Sequence, residues 1–326
     1  MRVSESGEFG LIESLRRLLG GAEGNLVLGV GDDAAVFRDE GGRLWAYTAD
    51  ALVEGVHFLP RYTPAHSLGF KALAVNLSDL AAMGGGGNSY ALVVLGLRGE
   101  EEVSWVEELY RGLSDCARLF SCRVVGGDVV RSPERTFLSV SLVGYLGGEG
   151  FLSRGGALPG QAVLVTGTLG DSWLGMQRLM RGGGPDHPCA QRHLYPRPRL
   201  EEGRAALRLG AAAAIDVSDG LLRDAGHICE ESGVGMEIYM ENIPISEPAR
   251  RLGEQLGLDP LRAALAGGED YELLLTADRR LADLLAEEVP ASVIGRVTEG
   301  KGVTLLDGNG RAVAVPDTGY EHFREG

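Results

Sequence analysis

Aspartates recur along this chain in short loops flanked by Gly or Ser. GVGDDAAVF carries Asp32 and Asp33, YTADALVEGVHF carries Asp50, and VNLSDLAAMG carries Asp79. Downstream, VVGGDVVRS carries Asp128 and AIDVSDGLL carries Asp216 and Asp219. Each stands where an apolar, strand-like run breaks into a turn or where a helix begins. Carboxylates brought close together cannot all stay ionised without a cation. A hard divalent ion such as Mg²⁺ takes oxygen ligands of this kind, usually with phosphate oxygens of a nucleotide. Asp33, Asp50, Asp79, Asp128 and Asp216 are therefore read as surrounding a cluster of Mg²⁺ ions; zinc would call for Cys and His. The matching chemistry is phosphoryl transfer, which is chiefly positioning plus charge neutralisation. Two unit charges about 4 Å apart repel by roughly 1 kcal/mol in water and about 4 kcal/mol at an effective dielectric near 20. Several such pairs would keep an anionic acceptor away from a triphosphate.

Each of these residues also has a plainer reading. A single Asp in a Gly-flanked turn is commonly a turn or helix-cap residue, and Asp219 before Gly220 or Asp171 after Gly170 would serve as caps. Asp32 and Asp33 cannot both cap one helix well, so that pair says more. The usual nucleotide grips are missing. There is no GxxxxGK[ST], neither Lys71 nor Lys301 follows a Gly-rich loop, and GVGDDA lacks the third glycine of a dinucleotide fingerprint. The HRD and DFG segments of protein kinases are absent too. GGGG at 84–87 reads as a loop tip rather than a phosphate cradle. VTGTLGDS at 165–172 reads as a strand feeding a helix N-terminus, where free N–H groups would receive an anion or simply make a turn. His57 follows Asp50 by seven residues, either as a packed histidine or as a phosphate contact; Arg154 in SRGG offers a bidentate donor; Glu269 and Asp270 directly precede a strand.

These residues need a layered scaffold. GEFGLIESLRRLLG predicts an amphipathic helix, LVLGV and LWAYTA strands, and His66–Met83 a helix after Thr63-Pro64. YALVVLGL is a strand, Glu101–Phe120 a second amphipathic helix, and RVVGGD and TFLSVSLVGYL are strands. The Gly-rich segment 146–160 marks a boundary between domains 1–146 and 147–326. Beyond it come the strand AVLVTG, the helix TLGDSWLGMQRLM, a loop GGGPDHP, helices near Leu200–Leu209 and Leu221–Glu231, then alternating strands and short helices. The class is α/β (α+β).

Composition narrows the function. The net charge of −15 argues against nucleic acid and against an anionic membrane surface, though not against an anionic substrate carried by metal. No apolar run is long enough for a membrane span, and the N-terminus has no signal-peptide pattern. Cys116, Cys122, Cys189 and Cys229 form no CxxC pair and read as reduced thiols of a cytoplasmic protein. The 50 glycines are about twice ordinary usage and are read as many tight turns.

Taken together and in order, GEFGLIESL, GVGDDAAVF, TADALVEGVHF, KALAVNLSDLAAMG, GGDVVRS, VTGTLGDS, IDVSDGLLRDAGHI, GGEDYELLLT and GYEHF resemble the thiamine-monophosphate kinases. These belong to the aminoimidazole ribonucleotide synthetase-like superfamily. The resemblance implies two domains of mixed sheets with flanking helices, and a homodimer joined through a barrel of N-terminal strands. It implies ATP- and Mg²⁺-dependent phosphorylation of thiamine monophosphate to the diphosphate by direct in-line attack. It implies metal ligands at Asp33, Thr48, Asp50, Asp79, Asp128, Asp216 and Asp219, with Ala49 offering its main-chain oxygen. Tyr110, Gly127, Arg154 and Ser218 would meet the nucleotide, and His57, Glu269 and Tyr320 the thiamine substrate. An aromatic face such as that of Tyr320 suits a cationic thiazolium ring. GGGGNSY after Met83 and Ala51 beside Asp50 depart from the family pattern. The alternatives are a sister enzyme resembling aminoimidazole ribonucleotide synthetase, and a non-enzymatic divalent-cation-binding protein. Selenophosphate synthetase would need an early reactive Cys, but the first here is Cys116, and the hydrogenase-maturation relative would need a terminal one.

Overall fold

The computed structural model describes residues 2–148, 150–314, 319–320 and 322, without the side chains of Ser4 and Phe9. The chain enters through α1 (Val3–Leu19), bent at Gly7. It continues through β1 (Leu26–Leu28), β2 (Ala35–Arg38), β3 (Leu44–Val53), α2 (Ala65–Ala82), β4 (Ser89–Leu97), α3 (Val103–Leu119), β5 (Cys122–Arg131) and β6 (Phe137–Gly147). The strands form one sheet in the order β1-β2-β3-β6-β4-β5, with β4 and β5 parallel and the other neighbours antiparallel.

A 3₁₀ turn at 154–156 leads into the second half. Its elements are β7 (Ala162–Thr166), α4 (Asp171–Met180), α5 (Pro188–Leu194), α6 (Leu200–Leu209), β8 (Ala213–Asp216), α7 (Leu221–Ser232) and β9 (Gly235–Tyr239). They continue with α8 (Glu247–Leu256), α9 (Pro260–Ala266), β10 (Leu273–Ala277), α10 (Arg279–Glu288), β11 (Ala291–Thr298), β12 (Gly302–Leu306) and β13 (Ala312–Val313). The sheet order is β13-β12-β9-β11-β7-β10-β8, with β9 and β12 parallel.

The structure bears out the mixed two-sheet α/β class. Helix α2 is what joins the halves. Nearly all of its residues are buried, including Leu68, Leu73, Leu77 and Leu80, as in a helix enclosed on every side. It packs against β3, β6 and α3 of the first half, and against α6 and β8 of the second. One apolar core runs through both halves, from Val36, Leu77 and Leu142 to Leu164, Leu275 and Leu285. A second core lies under α7, around Ile215, Leu221, Ile238 and Leu274. Alternation along β10 sends Leu273 and Leu275 to the first core and Leu274 to the second, which explains why that strand is wholly apolar.

The glycine excess has a source besides turns. A Cβ on Gly69 of α2 would lie 1.8 Å from the Leu109 carbonyl oxygen of α3, and one on Gly112 of α3 would lie 1.8 Å from the His66 oxygen of α2. Gly203 of α6 makes the same kind of approach to Ala81, at 2.1 Å. The helices cross so closely that only glycine fits. Strand β2, inside GDDAAVF, and helices α5, α8 and α9 were not individually resolved by the sequence patterns. The 84–87 glycines are no phosphate cradle: the amides of Gly84, Gly85 and Gly86 are spent on Ala81, Leu80 and Tyr145 oxygens, and the segment closes α2.

Candidate active site

Alternation along β3 turns Thr48 and Asp50 to the same side as buried Ala46 and Leu52, facing α2, and leaves Ala49 on the open side. Asp79 rides on the last turn of α2, Asp216 ends β8, and Asp33 lies in the loop entering β2. Oxygens of Asp33, Asp79 and Asp216 come within 4.8 Å of one another. Asp50 crowds Asp79 electrostatically, and the Thr48 hydroxyl donates to Asp79 Oδ2. Ser78 Oγ donates to Asp216 Oδ2 at 2.6 Å. The Arg154 guanidinium pairs with Asp33 Oδ1, while its backbone N–H donates to Asp32 Oδ2 at 3.0 Å. That leaves Asp33 Oδ2 and Arg154 Nε buried with no hydrogen-bond partner.

The electrostatics follow from burial. Burial first, then Asp50, Asp216 and Asp33, holds the Asp79 carboxyl well above the usual carboxylate range. Burial and then Asp33 push Asp216 up to about 8, and burial with Asp33 pushes Asp32 up to about 7. Asp33 and Asp50 are raised for the same leading reason. Donors made only of oxygen, an orphaned carboxylate oxygen and mutual repulsion together fit a divalent cation such as Mg²⁺.

A second layer is made by two loops docked backbone to backbone. Tyr271 N–H donates to the Val217 oxygen at 2.9 Å and Glu269 N–H to the Ser218 oxygen at 2.7 Å. Glu269 and Tyr271 hold φ of 58° and 52°, sparsely populated for residues with a Cβ. Between them the Asp270 carboxylate accepts from the amides of Gly170 and Ser172 at 2.7 and 3.2 Å. The α4 N-terminus, read from sequence as a possible anion seat, is thus filled by the chain's own carboxylate. Asp224 Oδ2 likewise takes the amides of Ser218, Asp219 and Gly220 at 3.1, 3.2 and 3.1 Å. Asp219 therefore does not cap α7, whose N-cap is Gly220.

His57, Glu269 and Tyr320 come together at the edge of this layer. His57 Nδ1 accepts from Val53 N–H at 3.0 Å, and its ring lies 5.2 Å from that of His322. Tyr320 N–H donates to the Asp219 oxygen at 3.1 Å, and its hydroxyl is 3.2 Å from His322 Nδ1. The negative charge of Glu269 acts on both His57 and Tyr320.

Residues 31–146 match the family model of the AIR synthase related protein N-terminal domain, and residues 159–308 match that of its C-terminal domain. A thiamine-monophosphate kinase of Aquifex aeolicus is 39% identical, the match covering 99% of this chain and 100% of that one. Another, from Escherichia coli K12, is 37% identical over 97% of this chain and 98% of its own. The chain belongs to the thiamine-monophosphate kinase family. A solved structure, AaThiL complexed with AMPPCP and TMP, superimposes with a TM-score of 0.88 at 38% identity, covering 99% of both chains.

Not every residue expected from the thiamine-monophosphate kinase resemblance joins the carboxylate group. Asp128 aligns with Val94, Ser139 and Ala51 in one cross-strand row, whereas Asp50 belongs to the neighbouring row with Val140, Val93 and Gly127. Asp128 therefore points to the open face of the sheet, with Ala49, and its Oδ1 accepts from Val129 N–H at 2.9 Å. Gly127 must be glycine, because a Cβ would lie 1.8 Å from the Val93 oxygen. Tyr110 stands half-exposed on α3. Asp219 gathers instead with Asp224 and His227, their ligand atoms also within 4.8 Å. Sequence reasoning gave no role to Ser78, Lys71, His193 or Asp224. The single lysine of the mostly apolar helix α2, seven residues before Ser78, was the signal that could have exposed the first two.

Proposed function

We propose that the protein transfers the terminal phosphoryl group of ATP to thiamine monophosphate, yielding ADP and thiamine diphosphate. The observation that carries this is the convergence of Asp33, Asp79 and Asp216, drawn from both halves of a chain of this family, on one buried site. Asp33, Thr48, Asp50, Asp79 and Asp216 would hold Mg²⁺ ions, and Asp128, Asp219 and the Ala49 carbonyl would serve as further ligands. Bound there, Mg²⁺ supplies the positive charge that lets two phosphate-bearing molecules approach. Were Asp33 to hold a cation, Arg154 would lose its partner, and its planar fork would suit a nucleotide phosphate. Tyr110, Gly127 and Ser218 complete the nucleotide contacts. His57, Glu269 and Tyr320 hold the thiamine moiety so that its phosphate faces the transferred group. An oxygen of that phosphate forms the new bond to phosphorus while the bond to the ADP oxygen breaks, its electron pair leaving with ADP. A phosphate monoester has its second pKa near about 6, so the attacking oxygen is already ionised at neutral pH and no general base is required.

We assign nucleotide binding and dimerisation to residues 1–146 and completion of both sites to 147–326. The outer face of the first sheet supports a homodimer. Tyr47, Tyr90 and Leu92 stand half-exposed there, beside the open edge strand β5. Pairing such faces into a shared barrel would cover them and the sheet edge. Among the described residues no helix is long and apolar enough to cross a membrane. The four cysteines are all buried free thiols, which supports a cytoplasmic setting. The test is a coupled assay of ADP release with ATP, Mg²⁺ and thiamine monophosphate. Turnover with thiamine monophosphate and not with free thiamine or aminoimidazole precursors is expected; absence of turnover would reject the reading.

A further inference from the structure

Lys71 is a buried cation in the middle of α2, 3% exposed, and nothing in phosphoryl transfer as described uses it. Its Nζ lies 2.6 Å from Glu269 Oε1. The other carboxylate oxygen, Oε2, is 3.1 Å from Nδ1 of His193, which is equally buried. A carboxylate only accepts, so that nitrogen carries the hydrogen; Ser172 Oγ stands 3.2 Å from the same atom. Both oxygens of Glu269 are thus gripped from the interior, by α2 on one side and α5 on the other. The backbone is pinned as well: φ is 58° at Glu269, and its amide is fixed to the Ser218 oxygen. Yet the Glu269 side chain remains 26% exposed. Besides His193, the rings of His57, Tyr62, Tyr271 and Tyr320 feel its charge. Tyr62 is itself packed on Leu179, Ala190 and Leu194, beside His193 on α5.

A carboxylate on a strained loop, backed by the buried Lys71 and His193 and close enough to His57, Tyr62 and Tyr320 to act on them, suits a flat cation. We propose that Lys71 and His193 are positioning residues for the substrate's ring system. They clamp the inner edge of Glu269 so that its open edge, with Tyr62 as an added wall opposite His57 and Tyr320, seats a cationic thiazolium joined to an aminopyrimidine. This rests on the thiamine-phosphate reading above. Lys71 and His193 act on the ligand only through Glu269.

The test is calorimetric titration of thiamine monophosphate into the full-length protein with Mg²⁺ and a non-hydrolysable ATP analogue, alongside steady-state kinetics. Lys71→Met and His193→Leu should each weaken thiamine monophosphate binding about 5- to 100-fold. Affinity for the ATP analogue, and kcat at saturation, should stay within about threefold. His193→Asn, which replaces the Nδ1 donor with an amide, should restore most of the loss. The double variant Glu269→Gln/Lys71→Met buries no lone charge and should bind no more weakly than Glu269→Gln alone. Additive losses in that pair, or unaltered KM for thiamine monophosphate in a folded Lys71→Met, would overturn the positioning role. Wild-type affinity in Glu269→Gln would instead remove the Glu269 contact, and with it this proposal, while leaving the kinase reading intact. An unaltered protein that binds no thiamine monophosphate would overturn both.

Discussion

Asp79 is the residue at which charge is most crowded, with Asp50, Asp33 and Asp216 all raising its pKa in a buried setting. Asp79→Asn keeps the volume and removes both a metal ligand and a source of repulsion. Turnover at saturating Mg²⁺ should fall by at least about 100-fold, the upper range already seen for losses one shell further from a metal. The metal-free protein should melt at a higher temperature than wild type, and Mg²⁺ should no longer raise it. Unchanged turnover would withdraw Asp79 from the metal site. Arg154→Met tests the pair at Asp33 from the other side. Breaking a buried ion pair costs about 3 kcal/mol or more, so urea melts without Mg²⁺ should show a loss of that order. With Mg²⁺ the loss should shrink, because the cation takes over the role of counter-ion. A loss that is the same with and without metal would mean Arg154 never yields Asp33.

At the scale of elements, the crossing of α2 and α3 decides where Asp79 and Lys71 stand. In an open helix Gly→Ala gains about 1 kcal/mol, so propensity alone predicts that Gly112→Ala stabilises. The 1.8 Å approach to the His66 oxygen reverses the sign. Overpacking costs roughly 1–3 kcal/mol where side chains can give way, and here the obstacle is backbone. We expect Gly112→Ala to lower stability by about 2–4 kcal/mol, read from urea midpoints. Activity should fall with it, since separating the helices shifts the last turn of α2. A neutral or stabilised variant would show that the crossing is looser than described.

For the whole molecule, stability should depend on pH and metal together. Asp219, Asp32 and Asp216 are raised to about 6, 7 and 8, each led by burial. A folded pKa above the unfolded one gives stability that is full at low pH and is lost as pH rises through the folded value. The metal-free melting temperature should therefore fall from about pH 4, where carboxylates of the unfolded chain ionise, to about pH 8. Mg²⁺ binds only the ionised set and should raise the melting temperature more at pH 8 than at pH 6. A flat metal-free profile would contradict the raised carboxylates. For the dimer, Tyr90→Lys with Leu92→Lys places charge on the open sheet face. Light scattering should then report one chain where the unaltered protein gives two; an unchanged mass would move the interface elsewhere.

The aspartates that matter were readable one by one, because each interrupts an apolar run with a small neighbour, and the order of motifs carried the family. The courses of α2 and α3 were readable to within a few residues from their apolar spacing. What no run of residues contained was which carboxylates meet. Asp33, Asp79 and Asp216 come together because α2 is enclosed by both sheets, a contact between segments far apart in the chain. The parity of β3 and β5 sent Asp50 inward and Asp128 outward, and a β-bulge in β5 set that parity. Lys71 and His193 were silent in sequence for the same reason. Their meaning lies in a shared carboxylate that only folding brings between them.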